Sequence, residues 1–322
     1  MKGAIGIDLG GTHIVFSVIN PIGKQITTMT LPTQAHKGGK HVLRNILTGI
    51  EQLIRKTPIP KKQIIGIGLG TPGAVDRQGT LIGGAQNLPG WEGTNIYRPV
   101  QNKFNLRIVA SNDATIAALG EARFGAGKGK TNVVMITLGT GIGGGIVINN
   151  KVYRGTHDMA GEVGHMTIIM HGRRCSCGKK GCFETYASAT GIVRTAQDFI
   201  AAYPKYNSSL LLNKLKSGES LSSRLIYFCA AEGDSLSLRI TEQTAEYLGI
   251  GIGNLLNILS PDIFIIGGGV TNAGDFLLKP ARRYIKANTW NMIFNRTKVV
   301  FAKLGDQAGV VGAATLAFDT FN

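Results

Sequence analysis

Four side chains that lie close together in the chain have the chemistry of metal ligands: His165, Cys175, Cys177 and Cys182. Three thiolates and one imidazole complete a tetrahedral zinc shell and leave no position open for water, so such a site is structural. The Cys-x-Cys step, followed by Gly178 and Gly181, supplies the sharp bends that wrapping an ion demands. A disulfide is the alternative; it would strand one cysteine and give His165 no role. Cys229 stands apart and reads as core. Two acids flank the loop, Glu162 before His165 and Glu184 after Cys182. If a metal pins the loop, both face one small volume, where carboxylates accept hydrogen bonds from hydroxyls. Without the metal they read as surface charge. His165 could hold the ion through one ring nitrogen and a ligand hydroxyl through the other.

A second set of residues suits phosphate. Asp8-Leu9-Gly10-Gly11-Thr12 is a glycine turn between apolar stretches, and Leu138-Gly139-Thr140-Gly141-Ile142-Gly143-Gly144 is its counterpart further along. Turns without side chains let backbone N–H groups approach phosphate oxygens. The Thr140 hydroxyl is an added donor, and Thr12 closes the first loop. Asp8 would repel phosphate alone, and makes sense with Mg²⁺ between them. Neither turn has the Gly-Lys-Ser/Thr ending of a Walker loop, and each leads into a strand rather than a helix, unlike a dinucleotide fingerprint. A tight hairpin would use the same glycines, so one loop alone says little. Gly267-Gly268-Gly269 would let a base or ribose lie against the backbone, with a plain helix-entry turn an equal contender. Asn112-Asp113 follows a short apolar stretch. Transfer of a phosphoryl group to a hydroxyl needs a carboxylate within reach of that hydroxyl, which Asp113 offers, with Asn112 as a two-way hydrogen-bonding neighbour. A helix N-cap is the common alternative for this pair.

These residues need elements to hold them. Residues 4–19 read as two strands around the first glycine turn, and residues 133–149 repeat strand, glycine turn, strand, polar turn, with Thr137 where Asp8 stood. A weaker pair relates residues 65–73, ending at Thr71-Pro72-Gly73, to residues 264–270. Helical spacing of Leu43, Ile46, Leu47, Ile50, Leu53 and Ile54 predicts a helix over 39–56. Ala245, Leu248, Ile252, Leu255, Leu256 and Leu259 predict another from about 238 to 259, stopped by Pro261. A strand over 107–110 runs into Asn112-Asp113 and a helix from about 114, which puts Asp113 at a strand-to-helix junction. Two related halves in one order imply a duplicated α/β domain with a cleft between the copies.

Composition narrows the classes. Hydrophobic residues are 43% and charged residues 17%, the balance of a globular chain. The 45 glycines cluster at strand ends and read as turns and phosphate loops. Lys and Arg exceed Asp and Glu by 35 to 19, giving +16, but the basic residues are scattered, which fits a solvated face better than a nucleic-acid or membrane surface. No charged start followed by an apolar stretch marks a signal peptide, and no run of about 18 apolar residues marks a span. A cytoplasmic protein is the expectation.

With these residues in view, the chain resembles the ROK family (repressor, open reading frame, kinase), and within it the glucokinase-like members. The resemblance spans nearly the whole chain. It is carried by residues 8–12, 69–73, 111–114 and 138–144, by Gly161-Glu162-Val163-Gly164-His165, and by Cys175-x-Cys177-Gly178-x-x-Gly181-Cys182-x-Glu184. It implies an actin-like (ribonuclease H-like) two-domain fold with an interdomain cleft, often a homodimer, and ATP-Mg²⁺-dependent 6-phosphorylation of hexoses. It implies Asp113 as general base; Asn112, Glu162, His165 and Glu184 as sugar ligands, with Gly73 and Asn87 on the same side; and zinc on His165 and the three cysteines. Asn87-Leu88-Pro89-Gly90-Trp91 resembles a segment beside the sugar pocket of glucokinases and points to glucose, against the alternative of a turn with Trp91 in the core. The expected domains are a smaller one, 1–116 plus 305–322, and a larger one, 117–304, carrying the zinc loop at 165–182. Family repressors carry a winged-helix domain ahead of the kinase-like core; the first hairpin begins too near Met1 for one, so no nucleic-acid partner is expected. N-acetylmannosamine, N-acetylglucosamine and fructose kinases differ by a few pocket contacts. A sugar-sensing protein that has lost catalysis would show an altered base or phosphate loop, and neither is seen.

Overall fold

The computed structural model describes residues 2–202 and 209–322; Met1 and the part of the expected larger domain at 203–208 lie outside the described residues. The first sheet contains β1 (Gly3–Leu9), β2 (His13–Ile19), β3 (Gln25–Pro32), β4 (Ile64–Thr71) and β7 (Ile108–Asn112), in the order β3-β2-β1-β4-β7. A small hairpin of β5 (Ala74–Val75) and β6 (Leu81–Gly83) follows β4. β1, β2 and β3 pair antiparallel, and β4 and β7 add in parallel. The second sheet contains β8 (Val133–Leu138), β9 (Ile142–Ile148), β10 (Lys151–Val152), β11 (Ile263–Gly267) and β12 (Lys298–Phe301), in the order β10-β9-β8-β11-β12. The two orders are the same pattern twice: a glycine hairpin, a third strand on its outer edge, then two strands on the other side. The expected duplication is therefore present. Asp8 and Thr137 hold the same place, one residue before the last of the first strand.

By compactness the chain forms two units, Met1–Val133 with Gly145–Gly161 and Ala302–Asn322, and Val134–Gly144 with Glu162–Phe301. The sequence-based boundary at 116/117 falls inside helix α3 (Asp113–Phe124).

In the first unit, helix α1 (Gly39–Lys56) spans the predicted residues and buries Val42, Ile46, Ile50 and Leu53 against Ile5, Ile7 and Phe16 of the sheet. Full burial of each such side chain stabilises by about 1.5–3 kcal/mol. Helix α2 (Tyr97–Phe104) and Trp91 complete that core. Against Ala4, Ile19 and Val109 pack α3 and the C-terminal helix α11 (Ala308–Phe321), through Ile116, Leu119, Val310 and Ala314.

Here the glycines depart from their expected role. A Cβ on Gly6 would lie 2.0 Å from Val310 O, one on Gly68 1.7 Å from Ala313 O, and one on Gly312 1.9 Å from Ile116 O. These are packing glycines, mid-strand or mid-helix, that let α11 lie directly on the sheet and on α3.

The second unit surrounds its sheet with α4 (Glu184–Ala187), α5 (Ala189–Ala202), α6 (Leu210–Lys216), α7 (Ser223–Ala231), α8 (Ser235–Leu259), α9 (Asp275–Asn288) and α10 (Asn291–Phe294). Helix α8 starts before the predicted residue 238 because Asp234 caps it, accepting from Ser237 N–H at 2.9 Å. It ends at Ser260, whose φ of 41° precedes Pro261. Its apolar face meets Phe264, Ile266, Leu277 and Ile285, and Cys229 lies fully buried in the same core. Among the described residues, no helix is long and apolar enough to cross a membrane.

Candidate active site

In the first unit, β1 ends on Asp8 and Leu9 and turns through Gly10–Thr12 into β2. The turn is closed by Gly10 N–H donating to His13 O at 3.0 Å. Thr33, fully buried, donates its hydroxyl to Gly10 O at 2.7 Å and its N–H to Thr12 O at 2.8 Å. Sequence reasoning missed Thr33, since a threonine at the end of a strand carries no signal of what its hydroxyl will meet.

The Asp8 carboxylate lies over the first turn of α11, where a Cβ on Gly309 would be 2.2 Å from its Oδ2. Burial, then the charges of Asp113 and Asp306, push the Asp8 carboxyl up to about 7. Asp306, in the turn before α11, was also missed; it enters the cluster only because the C-terminal helix docks on this sheet.

Asn112 ends β7 and Asp113 begins α3. The N-cap alternative is met by Asn112 rather than by Asp113: its Oδ1 accepts from Ala114 N–H at 3.0 Å and Thr115 N–H at 3.4 Å. Its Nδ2 donates to Gly73 O at 3.4 Å, which brings two of the expected sugar-side residues together. Asp113 Oδ1 accepts from Ala114 N–H at 2.7 Å. Burial raises the Asp113 pKa, opposed by backbone N–H groups of Ala114 and Asp113 and by the Asn112 side chain. A carboxylate so placed is a stronger base than an ordinary aspartate. Asn87 lies exposed on the segment after β6. That segment is anchored by Trp91, which is fully buried and donates its indole N–H to Thr71 Oγ1 at 2.9 Å. Trp91 is thus core, and it also ties this segment to the Thr71-Pro72-Gly73 turn.

In the second unit, the β8–β9 turn is closed by Gly139 N–H donating to Gly141 O at 3.0 Å. It rests on α5 through Ala189 N–H to Gly139 O at 2.9 Å and Thr190 Oγ1 to Thr140 O at 2.7 Å. Gly268, with φ 88°, lies against the same turn, where a Cβ would be 2.5 Å from Leu138 O. Gly267 ends β11, and Gly143 lies within β9.

The fold does not account for three of the loop glycines. At Gly11, Gly139 and Gly269 φ lies outside the left-handed region, and a Cβ would meet nothing within 4 Å. Neither backbone conformation nor packing asks for glycine there. Beside Gly269 a cavity of ≈ 690 Å³ opens, lined by Ser223, Arg224, Phe228, Asn272 and Phe276 among others. Phe228 and Phe276 are 49% and 44% exposed, unusual for aromatic side chains, and both line this space. The α7 residues were not found from sequence, because nothing local marks a helix face as the wall of a cavity.

The cysteine loop lies in the same unit. His165 ends a turn of 3-10 helix at Val163–His165, and the loop closes as a hairpin with Cys175 N–H donating to Lys179 O at 2.9 Å. Gly178 and Gly181 adopt φ of 85° and 80°, the conformation that favours glycine. The ligand atoms of His165, Cys175, Cys177 and Cys182 all lie within 4.8 Å of one another. Cys177 and Cys182 Sγ are 3.6 Å apart, too far for a disulfide bond of about 2.05 Å and near the edge of a tetrahedron with Zn–S bonds of about 2.3 Å. The four cysteines are free thiols. The donor set therefore fits a tetrahedral zinc ion. His165 presents Nδ1 to Cys175 Sγ at 3.6 Å and Nε2 towards Glu162 Oε2 at 3.9 Å. Glu184, the first residue of α4, places Oε1 3.0 Å from Cys175 Sγ and 3.7 Å from His165 Nδ1. Its Oε2 lies under Gly141, where a Cβ would be 2.6 Å away. Glu162, His165 and Glu184 are thus brought together around the loop.

A duplicated α/β fold of this sheet order, with a glycine turn in each half and a Cys₃His loop, defines a narrow class of proteins. The comparisons with known proteins place the chain within it. A profile of the ROK family matches residues 4–320. A glucokinase of Halalkalibacterium halodurans is 38% identical over 97% of this chain and 94% of its own length. A glucokinase of Streptomyces coelicolor is 34% identical over 97% of this chain and 96% of its own. Among solved structures, a ROK family glucokinase of Streptomyces griseus in complex with glucose and AMPPNP superposes with a TM-score of 0.80 at 33% identity, covering 99% of this chain and all of that one. This protein belongs to the ROK family, and its fold is the actin-like fold of ROK sugar kinases.

Proposed function

We propose that this protein is an ATP-dependent hexose 6-kinase acting on glucose. The observation that carries the reading is the trio Gly11, Gly139 and Gly269. Where neither φ nor packing demands glycine, the missing side chain leaves room for something that is not protein. Glycines of this kind in the hairpin turn of each half suit a polyphosphate, and the one beside the aromatic-lined cavity suits a base. The two sequence relatives named above are glucokinases, and the solved Streptomyces griseus relative is a complex with glucose and AMPPNP.

In this reading Asp113 takes the proton of the sugar 6-hydroxyl as that oxygen attacks the terminal phosphorus, and the bond to the leaving diphosphate breaks. Its raised pKa strengthens it as a base near neutrality. Asn112, Glu162, His165 and Glu184 orient the sugar hydroxyls, with Gly73 and Asn87 on the sugar side. The turns at Gly10–Thr12 and Gly139–Gly141, together with Gly143 and the Gly267–Gly269 stretch, take the nucleotide, with the base between Phe228 and Phe276. Mg²⁺, when bound, neutralises phosphate charge, and Asp8 is the residue that would hold it. Three neighbouring acids, one of them pushed up to about 7, form a donor set that a divalent cation would relieve. Zinc would be held by His165 Nδ1 and the three cysteine sulfurs, fixing Glu162 and Glu184 in place. The residues assigned to sugar and those assigned to nucleotide each include members of both units. We take these units as the working domains in place of a division at 116/117. A homodimer belongs to the same proposal by family resemblance. A cytoplasmic location is supported by thiols disposed as metal ligands rather than as disulfides.

The test is ADP release with ATP and Mg²⁺ over a panel of hexoses and N-acetylhexosamines, expected to be fastest with glucose. Asp113→Asn should keep glucose binding while turnover falls about 10²–10⁴-fold. Near-normal turnover in that variant would remove Asp113 from the role. A preference for N-acetylmannosamine or fructose would move the substrate within the family.

A further inference from the structure

Away from the residues assigned so far, an ion-paired carboxylate is held nearly out of solvent. The Asp158 side chain is only 7% exposed and stands between two arginines, 2.9 Å from Arg154 Nε and 3.7 Å from Arg77 Nε. Its backbone is left-handed, φ 58°, a conformation that costs a non-glycine residue about 1 kcal/mol or more and persists where surrounding contacts over-determine it. Arg154 also donates from Nη2 to Val75 O at 3.1 Å. Val75 belongs to the β5–β6 hairpin, two residues after Gly73, and Gly73 O accepts from Asn112 Nδ2 at 3.4 Å. The contacts thus run from Asp158 through Arg154 and the β5 backbone to the turn on which Asn112 leans. All of these residues lie in the first unit.

Apolar burial already holds the hairpin down, since Val75 and Leu81 are each 1% exposed. Hydrophobic contact is non-directional, however, and the β4–β7 ladder, which sets Thr71 beside Asn112, fixes the chain only as far as Thr71. A guanidinium bond to one chosen carbonyl fixes it beyond that point, because its donors are spaced rigidly. Buried ion pairs add little net stability and are better suited to selecting one geometry. The Asp158 carboxylate sets an opposite charge 2.9 Å from Nε of the same guanidinium whose Nη2 bonds Val75 O.

We propose that Arg154 and Asp158 are positioning residues for the sugar: they lock the β5–β6 hairpin in the register that presents Gly73 and Asn112 to the substrate. The inference rests on the sugar-kinase reading above. It is tested with Asp158→Asn and Arg154→Lys in the full chain. Glucose Kd is measured by calorimetry without nucleotide, and KM for glucose and for ATP in steady state. The expected result is a rise of about tenfold in glucose Kd and KM, with ATP KM within about twofold of wild type, since a small misplacement of a binding group loses this much. A merely structural role would lower the amount of active protein and leave both KM values unchanged, or move them together. Either outcome, or a glucose Kd within twofold of wild type, overturns the proposal. Arg154→Lys keeps the charge but cannot reach both partners, so it carries the same expectation if Asp158→Asn does not fold. Failure of both to fold assigns the pair to stability alone. Wild-type protein that binds no hexose would instead sink the sugar reading itself.

Discussion

Replacing Asp8 with asparagine should make the protein more stable and less active. The carboxyl is held up to about 7 from an ordinary 3.8, chiefly by burial and then by Asp113 and Asp306. Its proton is therefore bound more tightly in the folded chain than in the unfolded one. The stability this proton contributes is full below about pH 3.8 and is lost as pH rises through about 7. A shift of about three units at about 1.4 kcal/mol each sets a ceiling of about 4 kcal/mol on the loss above pH 7. Asparagine keeps the shape and has no proton to lose. In the absence of divalent cations the two proteins should be nearly equal in stability at pH 4. They should diverge up to about pH 7 and run parallel at pH 8 with the variant ahead. Urea unfolding followed by tryptophan fluorescence reads this directly. Trp91 is fully buried in the core of the first unit, whereas Trp290, the other tryptophan, is already 63% exposed. The same variant should lose phosphoryl transfer, the pattern of a residue kept for function at the expense of the fold. A gain that is equal at all pH values, or no gain at pH 8, would refute the claim that Asp8 is destabilised by its charge.

The two kinds of glycine should separate cleanly. Gly68→Ala drives a Cβ to 1.7 Å from Ala313 O and should destabilise by about 1–3 kcal/mol or more with substrate constants little changed. Gly11→Ala meets no atom and should leave stability within about 0.5 kcal/mol of wild type while raising ATP KM about tenfold. Equal behaviour of the two variants would remove the argument for a nucleotide at that turn. Cys177→Ser should release zinc, seen by metal analysis of the purified protein. It should also weaken glucose binding by about 10–100-fold, since Glu162 and Glu184 lose their support. Unchanged metal content would count against the four-ligand loop.

Much of the fold was legible because it is written in local pattern. The α1 spacing, the run into Pro261 that ends α8 and the two glycine hairpins depend on residues near one another in sequence, and each appears where its periodicity placed it. The clustering of His165 with three cysteines was legible for the same reason: they are confined to one short loop, so no long-range contact is needed to gather them. What distant packing brings together was not legible. Asp306 joins Asp8 because α11 docks back on the first sheet, and Thr33 reaches Gly10 across a strand. Phe228 and Phe276 come to one cavity from separate helices. The glycines show the divide most clearly. The sequence by itself determined that there are many and that some sit in turns. Only the tertiary structure decided which let α11 touch the sheet and which face open space, because that depends on what atom, if any, stands where a Cβ would be.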